Sequence, residues 1–305
     1  MYHRTDKDNL KLFYCDRHHL SLPAGHKFPL AKYRLLRETL AGDALFEMQE
    51  APLATVADVL RVHTPEYTEG FLNGTLPAGV MRRIGFPWSP ELVKRTLASA
   101  GSTLAAAREA IESGVGGTLA GGTDHAFRGE GSGFCVFNDL AIAIEEARAR
   151  TGLRRMAVID LDVHQGDGTA AIFAGDDAVF TLSLHGRRNF PFRKQRSKLD
   201  VELEDGAGDD EYLKQVEAAL PSVWAFAPQL VLYQSGVDGL RSDRLGRLAL
   251  TPQGLRMRDE LVIGGARQRR LPLAITIGGG YSEPIELTVE AHANTFRIAS
   301  RFHGR

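Results

Sequence analysis

From about residue 90 onward the chain alternates short apolar runs with longer amphipathic stretches, and no other feature restricts its fold so strongly. Residues 89–112 read as a helix with Ser89 as N-cap and Pro90 at the first position, where a missing N–H costs nothing. TLAGG (118–122) reads as a strand ending in glycines, and 138–150 as a helix opened by Asn138 or Asp139. RRMAVIDLDVH (154–164) is the strongest strand, followed by a Gly-rich turn and the short helix TAAIFAG. Further strands are expected at 178–186, 229–238 and 271–281, with helices in DEYLKQVEAALPSVWAFA, TPQGLRMRDELVIGGARQR and IELTVEAHANTFRIASRF. Strands separated by helices of this length imply right-handed crossovers and a mostly parallel sheet. The expected architecture is α/β, a single open sheet with helices on both faces. With no Pro/Ser linker, low-complexity tract or repeat, one domain over 1–305 is the better count. The first 75 residues are less regular, with a capped helix start at Thr64-Pro65-Glu66 running to about Leu76.

Apolar residues at 43% of 305 supply a substantial core, while 37 Lys+Arg against 38 Asp+Glu remove the electrostatic case for nucleic-acid or membrane partners. Cys15 and Cys135 cannot form a disulfide framework, and the N-terminus lacks a signal-peptide apolar region. No apolar run reaches membrane-spanning length, so a soluble, cytoplasmic protein is expected. The basic residues Arg267, Arg269 and Arg270 fall at a predicted helix C-terminus and read as a solvated helix end.

In open parallel sheets the ligand site lies beyond the carboxyl ends of the strands. Here those ends carry Gly-Gly-Thr-Asp-His (121–125), the run from Asp160 through Asp162 and His164 to Asp167, Ser183-Leu184-His185, Gly236-Val237-Asp238 leading to Asp243, and Gly278-Gly279-Gly280-Tyr281. Asp160, Asp162 and His164, spaced by two along an expected strand, point the same way. A carboxylate and an imidazole there can each give one ligand to an ion, and Asp243 can supply the third. Two oxygens and one nitrogen leave an open position, as in a catalytic site; the set suits Zn²⁺ and accepts Fe²⁺. The loop GEGSG (129–133) lacks a following Lys-Ser/Thr and reads as a wall beside Phe134 rather than a phosphate cradle.

These runs, with GFCVFND (133–139), TLSLHG (181–186), YQSGVDGLRSDRLG (233–246) and GGGY (278–281), resemble the zinc-dependent histone deacetylase superfamily, which includes acetylpolyamine amidohydrolases and acetoin-utilisation proteins. The resemblance extends from VHTPEY (62–67) to the final helix and is strongest to the short class IV type and its bacterial relatives. It implies the arginase/deacetylase fold, with Asp162, His164 and Asp243 as zinc ligands and Tyr281 as the electrophile beside the metal. His125 would act on the water with Asp167 as its carboxylate partner, and Phe134 and Phe190, with Gly133 and Gly279, would line the acyl-lysine channel. A structural K⁺ would take backbone oxygens of Asp160, Asp162, His164 and Leu184 and the Ser183 hydroxyl, with a second site near Phe173 and Val179.

One position departs from the family pattern: Asp124 stands where the first of two adjacent histidines is expected, opposite Asp160. Two carboxyl groups in a low-dielectric site cannot both ionise cheaply, so a shared proton is expected unless a cation intervenes. The leading expectation is a deacylase acting on acyl-lysine in a protein or peptide. Its rivals are deacetylation of a small acylated amine such as an acetylpolyamine, and a metal-containing acyl-lysine binding module, motivated by Asp124 alone.

Overall fold

The computed structural model describes residues 9–303. Among them, strands β1 (Leu10–Tyr14), β2 (Phe46–Glu50), β3 (Val115–Thr118), β4 (Met156–Asp160), β5 (Val179–Gly186), β6 (Leu199–Leu203), β7 (Leu230–Gln234) and β8 (Leu273–Thr276) form one sheet. Its order is β2-β1-β3-β8-β7-β4-β5-β6, and every pairing is parallel. The helices are α1 (Ala31–Ala41), α2 (Val56–Val59), α3 (Pro65–Leu72), α4 (Ala78–Ile84), α5 (Pro90–Ser113), α6 (Asp139–Thr151), α7 (Asp167–Ile172), α8 (Asp209–Ala225), α9 (Pro252–Gln268) and α10 (Ile285–Phe302). None of the described helices is long and apolar enough to cross a membrane.

A parallel sheet must be covered on both faces, and side-chain alternation along the central strands divides the core in two. Ala157 and Ile159 of β4 and Val231 and Tyr233 of β7 face a layer built on Leu36 of α1, Val216 of α8, Val262 of α9 and Phe296 of α10. Their neighbours Met156, Val158, Leu230 and Leu232 face Leu104 of α5 and Leu140 and Ile144 of α6. The caps form where the sequence places them: the Ser89 side chain accepts the Leu92 N–H, and the Asn138 side chain accepts that of Ala141.

The structure differs from the sequence reading in three places. The strand expected at 118–122 lies earlier, at Val115–Thr118, and two of its four residues are glycines. A Cβ on Gly116 would overlap the Ala106 carbonyl oxygen of α5, and one on Gly117 would stand 2.6 Å from Leu12 and 2.7 Å from Phe296. These glycines belong to the strand because helices press on both its faces, and Gly121 and Gly122, at φ +79° and +75°, make the turn that follows. The second difference is that β1, β2 and β6 were not read. The strands β2 and β6 are the outer edges of the sheet, and mostly half-buried FEMQE and LDVEL carry the mixed polarity of edge strands. The helix beginning at Pro65 also stops at Leu72, short of Leu76.

Gly116→Ala is expected to destabilise the protein by about 1–3 kcal/mol, because the clash is with backbone and cannot relax by a rotamer change. Urea unfolding checks this; a loss near zero would mean that the α5–β3 contact is looser than described.

Candidate active site

The strands β4, β7 and β8 lie side by side with Asp160 paired to Gln234 and Gln234 to Thr276, so their chains leave the sheet at one level. The next few residues of each carry the site. The ladder of β4 ends at Asp160, so Asp162 and His164 sit beyond the strand rather than on it. Alternation nevertheless persists, because Leu161 donates its N–H to Gln234 O at 3.1 Å and Val163 O accepts from Gly186 N at 2.9 Å. Leu161 and Val163 remain in the core while the polar residues between them face the site.

Asp162, His164 and Asp238 bring one ligand atom each to within 4.8 Å of the others. His164 Nδ1 stands 3.0 Å from Asp162 Oδ1 and 3.1 Å from Asp238 Oδ2. Backbone donors aim the carboxylates: Gly279 N–H donates to Asp162 Oδ2 at 2.7 Å, and Val163 N–H to Asp238 Oδ1 at 2.9 Å. Glycine is required around them because a Cβ on Gly236 would overlap Asp162 Oδ2 and one on Gly279 would overlap Asp238 Oδ2. Two carboxylates and an imidazole, all largely buried, form a donor set that fits a first-row divalent cation such as Zn²⁺ or Fe²⁺.

Of the expected ligands, Asp162 and His164 belong to this cluster, and Asp243 lies close enough to feel the charge of His164 and to act on Asp238. The cluster's third member is Asp238, and Asp243 is oriented by backbone donors as a ligating carboxylate commonly is: Oδ1 accepts Leu245 N–H at 2.8 Å and Gly246 N–H at 2.9 Å, and Oδ2 accepts Tyr281 N–H at 2.5 Å. Asp243 therefore places the backbone of Tyr281.

His125 Nδ1 donates to Asp167 Oδ1 at 2.7 Å, which leaves Nε2 as its free nitrogen. Asp167 opens α7, and its backbone position is tied to the same loop because Asp124 O accepts the Thr169 N–H at 2.9 Å. Sequence reasoning did not assign roles to Asn138 and Asp139, which hold that loop. Asn138 Nδ2 donates to Asp124 O at 3.2 Å and Ala126 O at 3.0 Å, while Asp139 accepts from the N–H groups of Gly122 at 2.9 Å and Thr123 at 2.7 Å.

Asp124 and Asp160 do meet. Oδ2 of each lies 2.7 Å from the point a Gly166 Cβ would occupy, so glycine alone fits between them. Asp160 has donors, Asp162 N–H at 3.1 Å and Gly166 N–H at 3.0 Å, whereas Asp124 Oδ2 is buried without a hydrogen-bond partner. Burial pushes the Asp124 carboxyl up to about 6, with the Asp162 charge adding to it against the opposing pull of His125. Burial, then the charges of Asp124 and Asp162, raises Asp160 well above the carboxylate range. Repulsion between the two favours one of them retaining its proton, Asp160 being the more strongly raised. Burial opposes charging of His125, but Asp124 and the Asp167 hydrogen bond outweigh it and raise its pKa.

A cavity of about 390 Å³ runs past these groups. Its walls include Phe134, Phe190, Gly133, Gly279 and Tyr281, with Asp162, His164, His125 and Asp124 alongside. The rings of His125 and Phe190 meet edge to face at 4.9 Å, and Phe134 lies 6.5 Å from Tyr281. Phe134 has φ +65°, and a Cβ on Gly133 would stand 2.9 Å from His125 and 3.1 Å from Phe190. Of the residues expected at a structural monovalent cation, Ser183 pairs with Asp160 across β4 and β5, and its hydroxyl lies 3.4 Å from Asp160 Oδ2.

The eight-stranded parallel sheet thus carries at its strand ends a carboxylate–imidazole cluster and a His–Asp pair. Among known proteins, the histone deacetylase domain family matches residues 26–296. A Picosynechococcus protein called uncharacterised is 43% identical over 91% of this chain and 94% of its own length. Histone deacetylase 2 of Arabidopsis thaliana is 32% identical, covering 84% of this chain and 70% of the relative. A histone deacetylase-like amidohydrolase of Pseudomonas aeruginosa is 33% identical over 85% and 73%. The crystal structure of a histone deacetylase homologue bound to SAHA superposes with a TM-score of 0.83 at 27% identity, covering 96% of this chain and 84% of that one. One from Aquifex aeolicus gives 0.81 at 25% identity over 95% and 84%. The chain belongs to the histone deacetylase family and has the arginase/deacetylase fold.

Asp238→Asn is expected to weaken Zn²⁺ binding by about 100-fold or more, as removal of a charged ligand would. Asp243→Asn removes the aspartate that the family resemblance makes the third ligand, and a loss larger than that of Asp238→Asn assigns the position to Asp243. Competition with a chromophoric chelator measures the affinities; equal losses in both variants would contradict the assignment of Asp238.

Proposed function

We propose that the chain is a single catalytic domain over 1–305, a zinc-dependent deacylase that removes acetyl or longer acyl groups from N-acyl-lysine side chains. The observation that carries this reading is the meeting of the Asp162–His164–Asp238 cluster, the His125–Asp167 pair and Tyr281 around one cavity with phenylalanine walls. A divalent ion held by Asp162 and His164, with Asp243, as the resemblance implies, or Asp238 as third ligand, would polarise the scissile carbonyl and acidify water. The phenylalanine rings hold the lysine methylenes and keep bulk water out. His125, its Nδ1 bonded to Asp167, takes the proton of the attacking water on Nε2 and delivers it to the departing amine as the C–N bond breaks. Tyr281 donates its O–H to the oxyanion. A structural K⁺ held by backbone oxygens of Asp160, Asp162, His164 and Leu184 and the Ser183 hydroxyl would belong to the same reading.

Arg188 and Arg247 are among the residues lining the cavity and both pair with Asp205, so this part of the wall offers no surplus of acidic charge to a polycationic acetylpolyamine, which supports acyl-lysine. Asp124 raises the basicity of His125 without displacing it from Asp167, so it tunes the base and leaves the machinery complete.

Turnover of an acetyl-lysine peptide reporter should be abolished by a chelator and restored by Zn²⁺; activity that survives chelation would overturn the reading. In the same assay Tyr281→Phe should lower kcat by about 100- to 1,000-fold with a smaller change in KM. The pH profile tests Asp124. His125 must be neutral to accept a proton, so activity rises through its pKa, and the Asp124 charge holds that pKa up. Asp124→Asn should therefore move the acidic limb of kcat/KM to lower pH, and an unmoved limb would remove Asp124 from the proton chemistry.

A further inference from the structure

The cavity does not end at the metal cluster. Its lining continues to Lys32 and Tyr33 of α1 and to Arg95, Thr96 and Ser99 of α5. Lys32 and Arg95 are only 1% and 8% exposed, which is unusual for side chains with these charges. Neither forms an ion pair with a carboxylate among the described residues. Lys32 Nζ donates to Gly278 O at 3.0 Å and lies 5.2 Å from the Tyr33 ring and 5.7 Å from that of Tyr281. The Arg95 guanidinium lies 4.4 Å over the Tyr33 ring, so Tyr33 is flanked by both cations. Nearby acids are already engaged: Asp162 and Asp238 with His164 and backbone N–H groups, Asp243 with three N–H groups.

Two buried cations in the wall of one chamber, without an anion, discriminate between possible occupants. A purely aliphatic chain filling the chamber would strip both of water and return no hydrogen bond, a costly exchange for buried charge. A carboxylate would give either cation a partner and could accept two donors from the guanidinium. Gly278, which receives the Lys32 hydrogen bond, lies against Asp162, since a Cβ there would be 3.0 Å from Asp162 Oδ2. The first cation thus stands one residue behind the metal cluster, within reach of a short acyl chain. We propose that this chamber, through Lys32 and Arg95, selects acyl groups that end in a carboxylate, so that succinyl- or glutaryl-lysine is preferred over neutral acyl-lysines of similar length. The inference rests on the deacylase reading of the same site and names its substrate class.

The test uses Zn²⁺-loaded protein and one peptide carrying acetyl-, butyryl- or succinyl-lysine, with both turnover and calorimetric binding measured. Succinyl should exceed butyryl by about 10-fold or more in kcat/KM and in affinity, the discrimination expected of a charge-assisted hydrogen bond. Arg95→Gln should collapse that ratio, with Arg95→Lys retaining part of it. If no peptide is turned over, the deacylase reading fails, yet tighter binding of the succinyl peptide that is lost in Arg95→Gln would sustain the chamber assignment. Succinyl equal to or weaker than butyryl in the unsubstituted protein overturns it, as does a ratio that Arg95→Gln leaves intact.

Discussion

Asp124, Asp160, Asp162, Asp167 and Asp238 all lie at 4% exposure or less around one end of the sheet, and keeping them there is the constraint on which the surrounding structure depends. Burying carboxylates is unfavourable unless each finds donors or a cation. The chain answers with backbone N–H groups from Val163, Gly166 and Gly279, with His125 and His164, and with glycines that make room. The parallel sheet delivers these donors, because three neighbouring strands end in register and their loops fold over one another at the same height.

Division of labour among the acids follows from small differences in surroundings. Asp162 has a backbone donor on each oxygen and an imidazole beside it, and it is held below the usual carboxylate range despite burial. Asp238, with a single backbone donor and the charge of Asp162 nearby, is pushed by burial up to about 7. Asp124 has one oxygen without a partner and faces Asp160, a geometry that favours a retained proton. A histidine at position 124 would place a neutral or cationic group there, so the substitution reverses the local charge and is felt by His125 next to it.

One cavity passes from phenylalanine walls, past the acids, to a chamber bordered by two cations. Tyr281 stands at the junction. Asp243 holds its backbone, Lys32 lies near its ring, and the loop before it supplies both the Asp162 donor and the carbonyl bonded by Lys32. A displacement of residues 278–281 would therefore disturb ligand orientation, the phenol and the inner chamber together.

Much of this was legible in the chain itself. Strong periodicity and well-formed caps identified α5, α6, α9 and the central strands, because those segments satisfy their backbone and bury their apolar faces by local rules. The motifs also placed Asp162, His164, His125, Asp167 and Tyr281 at one rim. The edge strands β2 and β6 escaped, since their identity comes from a neighbour's hydrogen bonds and not from their own mixed polarity. Residue type alone did not separate the contacts of Asp238 and Asp243: both are aspartates following β7, and tertiary structure decides that the first meets His164 Nδ1 and the second accepts the Tyr281 amide. Lys32 and Arg95 lie on helices far apart in sequence and look like ordinary surface cations until packing buries them beside the same tyrosine. Sequence determined the kind of chemistry, because ligand and base side chains are fixed by residue identity. Tertiary structure decided the partners, because a hydrogen bond or a ligand set depends on distances that only the closed sheet and its helices create.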